Sequence, residues 1–152
     1  MREDIQKTKL EKLENIKNAG MEAYPEKNER SMSNSEALDE FDNIKDEINL
    51  VGRIKSFRPM GSAAFAHIED GSGKIQLFLN KQNLDGKKFD LFVNSVEIGD
   101  IIQASGVLFK TKTEEKTLNV KNWKMLAKNM RPIPTEYFGL KNTEELLRRR
   151  YL

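Results

Sequence analysis

Phe65 and Phe78 are the side chains of this sequence whose chemistry most needs an explanation. Each lies in a short run of alternating residues, 64–69 and 74–79, in which the small and aliphatic side chains share the opposite face. The ring-bearing face of the second run also carries Gln76. An exposed ring can stack on an unpaired nucleic-acid base, and an amide can donate to and accept from the edge of that base. The pattern therefore indicates a surface for single-stranded nucleic acid.

Coverage by the N-terminal helices is the alternative explanation for both rings. Small residues precede and follow Phe65 and leave its surroundings open, so stacking on a base is favoured for this ring. For Phe78 we expect packing beneath the N-terminal helices, in a second small core.

The other residues that could act as catalytic groups or metal ligands are better explained by structural roles. The chain has no cysteine and one histidine, His67, which excludes a disulfide framework, a thiolate zinc site and a multi-histidine metal site. We give His67 no role beyond that of a polar surface residue. Glu69 and Asp70 precede the glycines of residues 71–73, so turn formation explains them better than acid–base catalysis. No catalytic residue and no metal ligand is predicted.

Composition and charge are typical of one globular domain with polar appendages. The chain has 152 residues, of which 38% are hydrophobic and 33% charged. It has no apolar run of about 20 residues and no signal-peptide pattern at the N-terminus, so a cytoplasmic location is predicted. The net charge is only +2, but lysines are concentrated after residue 109. This local basic surface is suited to a phosphate backbone, and a solvated lysine-rich face is the alternative.

The order of the predicted elements is that of a small β-barrel preceded by helices. Residues 3–19 predict an amphipathic helix that Gly20 ends, and Ser35 is expected to cap a short second helix. Three strand-like runs, an insert that could hold a helix and two further runs follow from residue 48. This is the order of an OB-fold, a five-stranded Greek-key barrel, with an SH3-like barrel or a split sandwich as alternatives. We therefore predict a mainly β chain, α+β overall, with an amphipathic helical segment over residues 1–46 and the barrel over residues 47–129.

Several segments are characteristic when they are taken together in their order along the chain. They read K-L-E-K-L-E-N-I-K-N-A-G-M-E-A-Y-P, then G-R-I-K-S-F-R-P-M-G-S-A-A-F-A-H-I-E-D-G-S-G-K-I-Q-L-F-L, then G-D-I-I-Q-A-S-G-V-L-F-K-T-K-T, R-P-I-P-T-E-Y-F-G-L and R-R-R-Y-L. In this combination the chain resembles the N-terminal region of class II lysyl-tRNA synthetases. The F-K-T-K-T and R-P-x-P pieces separate that family from its aspartyl and asparaginyl relatives. The resemblance implies an OB-fold that binds the tRNA anticodon, whose lysine triplet is U-rich.

The resemblance also implies roles for three residues at the central anticodon base. Phe65 is expected to stack on that base, Gln76 to hydrogen-bond it, and Arg58 to contact it as well. Alternation independently places Phe65 and Gln76 on the outward face. Arg58 shares its parity with Ile54, which the pattern buries, so its face is open. A bulge near Gly52 or an early end of the strand would each turn Arg58 outward.

Further contacts are expected from the loop between the last two strands and from nearby cations. This chain has Glu114 where the family often has a glycine, and Glu115 and Thr117 are candidate readers of the flanking anticodon bases. Three cations are expected to contact phosphates, which positions the nucleic acid without specifying its sequence: Lys110, Lys112 and Arg53.

The family's ATP-binding and adenylate-forming motifs lie beyond the position matched by R-R-R-Y-L. The resemblance therefore implies that this chain is not an enzyme by itself, and that residues 130–152 are a linker and the start of a catalytic domain. No cofactor is expected in this chain, whereas the parent enzyme would use ATP and Mg²⁺ and form a homodimer; the fragment alone can be monomeric. The expected partner is the anticodon stem-loop of tRNA(Lys), with no membrane.

Two other functions fit the same sequence. One is a stand-alone OB-fold module that binds single-stranded nucleic acid without sequence preference. The other is a protein-interaction domain that uses the N-terminal amphipathic helix.

Overall fold

The computed structural model describes residues 2–131, 143–148 and 150. Most of the predicted linker, residues 132–142, therefore lies outside the described residues. None of the helices in the described part is both long and apolar enough to span a membrane. The elements are α1 (Arg2–Asn18), α2 (Asn34–Asp39), β1 (Ile48–Met60), β2 (Ala63–Glu69), β3 (Lys74–Asn80), α3 (Gly86–Ser95), β4 (Ile101–Lys110), β5 (Lys116–Ala127) and α4 (Thr143–Arg148).

The strands close into a barrel in the order β1–β2–β3–β5–β4. Neighbouring strands are antiparallel except β3 and β5, which run parallel. The helix expected in the connection between β3 and β4 is α3. This arrangement confirms the predicted OB-fold and the mainly β class. The domain boundaries at residues 46 and 129 stay predictions.

The aliphatic faces of the strands fill the barrel. The inward sets predicted for β2 and β3 from their alternation are confirmed, because each of these side chains is at most 1% exposed: Ala64, Ala66, Ile68, Ile75, Leu77 and Leu79. α3 contributes Phe89 and Phe92 to the same core. Phe92 contacts Trp123 of β5 edge-on, with ring centroids 5.1 Å apart. The side chains on the outer faces of β2 and β3 are therefore not part of this core.

One extra residue in β1 changes which of its side chains point into the barrel. Ile54 pairs with Ile68 and Ser56 pairs with His67, so β1 advances by two residues while β2 advances by one. Lys55 is therefore the extra residue of a β-bulge. Upstream of the bulge the even-numbered positions face the core, and downstream of it the inward side chain is at an odd-numbered position.

The bulge lies at Lys55 and not at Gly52, where the sequence had suggested it. Gly52 instead permits a close approach of β1 to β2. A Cβ at this position would lie 2.9 Å from the Cβ of Ile68 and 3.0 Å from the backbone of Glu69. Any side chain there would push the two strands apart and disturb their register.

α1 is attached to the barrel through buried Ile16 and a network of ion pairs. Ile5, near the start of the same helix, is 41% exposed. Lys12 of α1 and Lys128 beyond β5 each place their Nζ atom 2.9 Å from a carboxylate oxygen of Glu97. Partial burial by itself raises the pKa of Glu97, but Lys12, Lys128 and the nearby Lys9 outweigh it and lower the pKa to about 2. The glutamate therefore stays charged and links the helix to the end of the barrel.

Local signals set the ends of the two N-terminal helices. α1 ends before Gly20, as predicted, and the φ of +78° at this glycine is a left-handed conformation. α2 begins after Ser33, whose Oγ accepts from the Glu36 N–H, while the Glu36 carboxylate accepts from the Ser33 N–H. This is a capping box. The predicted cap at Ser35 is wrong, because three residues later the chain has Leu38, which cannot reciprocate.

Asp70 connects α2 to the turn between β2 and β3. Its Oδ1 accepts from the N–H groups of Ser72 and Gly73, at 2.8 and 2.9 Å. Its Oδ2 accepts from the Asn34 N–H and from Arg30 Nη2, both at 3.1 Å. Partial burial by itself raises the pKa of Asp70, but the hydrogen bonds outweigh it and lower the pKa to about 2. The charged carboxylate therefore fixes the turn of the β2–β3 hairpin.

We expect Asp70→Asn to lower the free energy of unfolding by about 1–3 kcal/mol at neutral pH, because an amide places a donor against N–H groups that need an acceptor. The wild-type contribution is complete above about pH 4, the ordinary aspartate range. It is lost as the pH falls toward about 2, where the folded-state carboxyl protonates. Urea unfolding at neutral and acid pH measures both effects. Asp90→Asn, at a side chain 56% exposed, is the control, and an Asp70→Asn protein as stable as wild type at neutral pH contradicts the prediction.

Candidate nucleic-acid interface

A groove of about 850 Å³ crosses the outer faces of β1, β2 and β3 and is bordered by the loop between β4 and β5. We call it the outer groove. It lies on the face that the alternation of β2 and β3 predicts to be outward, and its volume is within the range of sites that hold small organic groups. The side chains that define it are Arg58, Phe65, His67, Gln76, Lys112 and Glu115.

Three phenylalanines form a row along the outer groove. Phe65 pairs directly with Phe78 across β2 and β3, with ring centroids 5.0 Å apart. Phe109 of β4 follows, 6.0 Å from Phe78. The expected packing of Phe78 beneath the N-terminal helices is therefore wrong: this ring is half-buried between the other two and lines the groove. Phe109 is not among the residues predicted from the sequence, although alternation with the aliphatic Leu108, which the structure buries, places it outward.

Thr117 lies beneath Gln76 and not in the groove itself. Its side chain is fully buried, and its hydroxyl donates to Gln76 Oε1 at 2.8 Å. The pairing of the parallel strands β3 and β5 sets this contact, because Gln76 and Thr117 are register partners. A buried hydroxyl cannot touch a base, so the expected direct reading by Thr117 is not supported. The residue instead orients the Gln76 amide.

Arg58 stands directly across from Phe65 in the pairing of β1 with β2. The bulge at Lys55 has shifted the parity of the strand, so Phe57 is the inward residue, with its ring 5.5 Å from that of Phe92. Arg58 is consequently exposed and lines the outer groove. The open question of its face is resolved by the bulge, and Arg58, Phe65 and Gln76 share one surface.

The loop between β4 and β5 is a tight turn that carries Glu115 into the groove. Thr111 N–H donates to Glu115 O at 3.1 Å, and Glu114 N–H donates to Thr111 O at 2.9 Å. Glu114 has a φ of 63°, in the left-handed region that a glycine adopts without steric cost. Glu114 therefore takes up, in this turn, a backbone conformation that favours glycine. Glu115 Oε1 lies 2.9 Å from Nε2 of His67, a contact that the sequence analysis missed because the two residues are far apart in the chain.

The three cations expected at phosphates occupy different places. Lys112 lines the outer groove. Lys110 is exposed at the end of β4, with its Nζ 3.8 Å from a Glu114 carboxylate oxygen. Arg53 lies away from the groove and donates from Nη1 to Gly99 O at 3.0 Å. The structure thus brings Lys112 together with the predicted base-contacting residues and does not bring Arg53 there.

A closed five-stranded barrel with half-buried rings, an amide and a cation on the outer face of β1 to β3 has the organisation of an OB-fold that binds single-stranded nucleic acid. A family model described as an OB-fold nucleic acid binding domain, and named for the tRNA anticodon, matches residues 48–126. The chain belongs to this family.

Relatives of the whole chain confirm the resemblance seen in the sequence. Lysine–tRNA ligase of Chloroflexus aurantiacus is 42% identical over 98% of this chain and 31% of its own length. The ligase of Halalkalibacterium halodurans is 36% identical over 98% of this chain and 31% of its own length. That of Thermotoga maritima is 31% identical over the full chain and 32% of its own length. The chain spans about a third of the length of these curated relatives.

We expect Glu114→Gly to raise the free energy of unfolding by up to about 1 kcal/mol. Relief of the left-handed backbone, which costs a non-glycine residue about 1–2 kcal/mol, exceeds the loss of about 0.4–1 kcal/mol to the greater freedom of glycine in the unfolded chain. Glu114→Ala is the control, because it also removes the exposed side chain but keeps the strain. Denaturant unfolding of the three proteins measures the difference. A glycine variant less stable than the alanine variant contradicts the prediction.

Proposed function

We propose that this chain is the anticodon-binding part of a class II lysine–tRNA ligase and that its outer groove reads the U-rich anticodon of tRNA(Lys). The relatives that match the whole chain are lysine–tRNA ligases, and the family of the barrel is a nucleic-acid-binding one. In this proposal the chain binds the tRNA so that the longer protein can ligate lysine to it.

The observation that carries the proposal is the meeting of Phe65, Gln76 and Arg58 on one groove. The Phe65 ring offers a face on which a splayed base stacks. Thr117 donates to one lone pair of the Gln76 amide oxygen, and the amide hydrogens have no partner among the described residues, so they can donate to an acceptor in the groove. Uracil presents carbonyl oxygens on its edge, and Arg58 adds donors opposite Phe65. The three residues therefore suit a single stacked uracil, and we assign Glu115, which lines the same groove, to a flanking base.

Phosphate contacts are proposed for the rim of the same groove. Lys112 lines the groove, and Lys110 is exposed beside it at the end of β4. Cations at such positions hold the backbone and set the register of the bases without reading them. Arg53 lies on a different face, so a phosphate contact there would need a nucleic acid that extends around the barrel.

The catalytic parts of the proposed enzyme belong outside the residues described. Among the described residues, no three His, Asp or Glu side chains come together as metal ligands. ATP and Mg²⁺ are assigned to the catalytic domain of the longer protein because the relatives, which are about three times as long as this chain, are lysine–tRNA ligases. We propose that this longer protein is a cytoplasmic homodimer. The fragment alone is compatible with a monomer.

We expect Phe65→Ala to weaken binding of an anticodon stem-loop with the sequence UUU by about 1–3 kcal/mol, the usual loss of one stacked base. Gln76→Ala should weaken the same complex, because a base carbonyl loses its donor. Fluorescence anisotropy at one fixed salt concentration measures both affinities, and Phe65→Tyr, which keeps a ring, is the control.

A stem-loop with a scrambled anticodon separates the proposal from binding without sequence preference. Wild type should prefer the UUU loop, and Gln76→Ala should lose most of that preference, because stacking on Phe65 does not distinguish bases. The thermal unfolding of both alanine variants should be unchanged. Equal affinity of wild type for both loops would favour the nonspecific OB-fold module. Unchanged titration curves for both variants would remove the base-reading roles of Phe65 and Gln76.

Lys112→Ala should weaken the UUU and scrambled loops by the same factor, because a phosphate contact carries no sequence information. It should also reduce the slope of log affinity against log salt by about one. Titrations at several salt concentrations measure this slope, with Arg53→Ala as the comparison outside the groove. A salt slope that Lys112→Ala leaves unchanged contradicts the phosphate contact, and a slope that Arg53→Ala also reduces would extend the nucleic-acid path to its face.

A further inference from the structure

His67 connects β1 to the loop that carries Glu115. Its Nδ1 lies 2.8 Å from the hydroxyl oxygen of Ser56, and its Nε2 lies 2.9 Å from Glu115 Oε1. Ser56 and His67 face each other because the bulge at Lys55 makes them register partners. The three side chains therefore form one hydrogen-bonded chain across β1, β2 and the β4–β5 loop.

The chemistry of the partners fixes the direction of these hydrogen bonds. An ionised carboxylate only accepts, so Nε2 of His67 must donate to Glu115. In the neutral ring Nδ1 then accepts from the Ser56 hydroxyl, and in the charged ring it donates to the same oxygen. Both protonation states preserve the connection.

The connection constrains a side chain that would otherwise be free to move. The Glu115 side chain is 45% exposed, at the end of a turn, and its Oε2 accepts no hydrogen bond from the described residues. Ordering such a side chain when a ligand binds costs about 0.5–1.5 kcal/mol. A carboxylate already held by His67 avoids that cost and keeps one oxygen available in the groove.

We propose that His67 is a positioning residue that holds the Glu115 carboxylate ready for a base next to the one stacked on Phe65. This inference rests on the proposed function. The free carboxylate oxygen of Glu115 accepts the ring N–H of uracil or guanine, whereas cytosine and adenine present a lone pair at that position. His67 thereby contributes to selection of the flanking base without touching it.

A double-mutant cycle with the whole chain and UUU stem-loop tests the proposal. His67→Ala should weaken binding about threefold to tenfold, the cost of ordering one freed side chain. In a Glu115→Ala background the same change should have almost no further effect, because nothing is left to position. His67→Gln, which retains a donor of similar reach, should recover most of the affinity, whereas His67→Leu should not. Additive effects of His67→Ala and Glu115→Ala, or no loss on His67→Ala, overturn the proposal.

A measurement without RNA separates failure of this inference from failure of the proposed function. The imidazole ¹⁵N spectrum of wild type should show a protonated Nε2, and Glu115→Ala should shift its signal, whereas the neighbouring change Glu114→Ala should not. An Nε2 signal that Glu115→Ala leaves unchanged overturns the positioning role whatever the RNA results. If the signal shifts but wild type binds the UUU and scrambled loops equally, the proposed anticodon reading fails, and the selection of a flanking base fails with it.

Discussion

The bulge at Lys55 is the constraint on which the outer groove depends. A strand of strict alternation would send Arg58 into the barrel and Phe57 out of it, because a shift of one residue exchanges the two faces. A guanidinium among the aliphatic side chains of the core would be costly to bury. Because of the extra residue, Phe57 points inward and contacts the ring of Phe92 on α3, and Arg58 points outward and lies opposite Phe65.

Some side chains of the outer groove are fixed by hydrogen bonds to neighbouring residues, and others have no such partner among the described residues. Thr117 holds the Gln76 amide, and His67 holds the Glu115 carboxylate. These are the groups proposed to distinguish one base from another, and fixing a side chain in advance lowers the entropy cost of binding a ligand. Arg58 makes no ion pair with another described residue, which leaves its charge available to a ligand. Preorganised amide and carboxylate groups beside exposed cations suit selective recognition on a polyanion.

The sequence predicted the parts of the site that depend on periodicity within one strand. Alternation placed Phe65 and Gln76 outward, and the order of the runs indicated the barrel. What it missed depends on pairing between strands. The position of the bulge is a property of β1 against β2, and the burial of Thr117 follows from its parallel pairing with β3. Phe78 was assigned to the helices because one strand cannot show that a ring on another strand, Phe109, will flank it.

The N-terminal segment is attached to the strands that form the outer groove. Asp70 joins α2 to the turn of the hairpin that carries Phe65 and Gln76. At the other end of α2, the Leu38 carbonyl accepts from Lys116 Nζ at 2.6 Å, one residue before Thr117 in β5. The helix is therefore attached on both sides of the strand pair that fixes the Gln76 amide. A disturbance of α2 would reach the groove through these two contacts, since β3 and β5 meet along only a short parallel register. The segment before the barrel is thus part of what holds Gln76 and its neighbours in the groove in place.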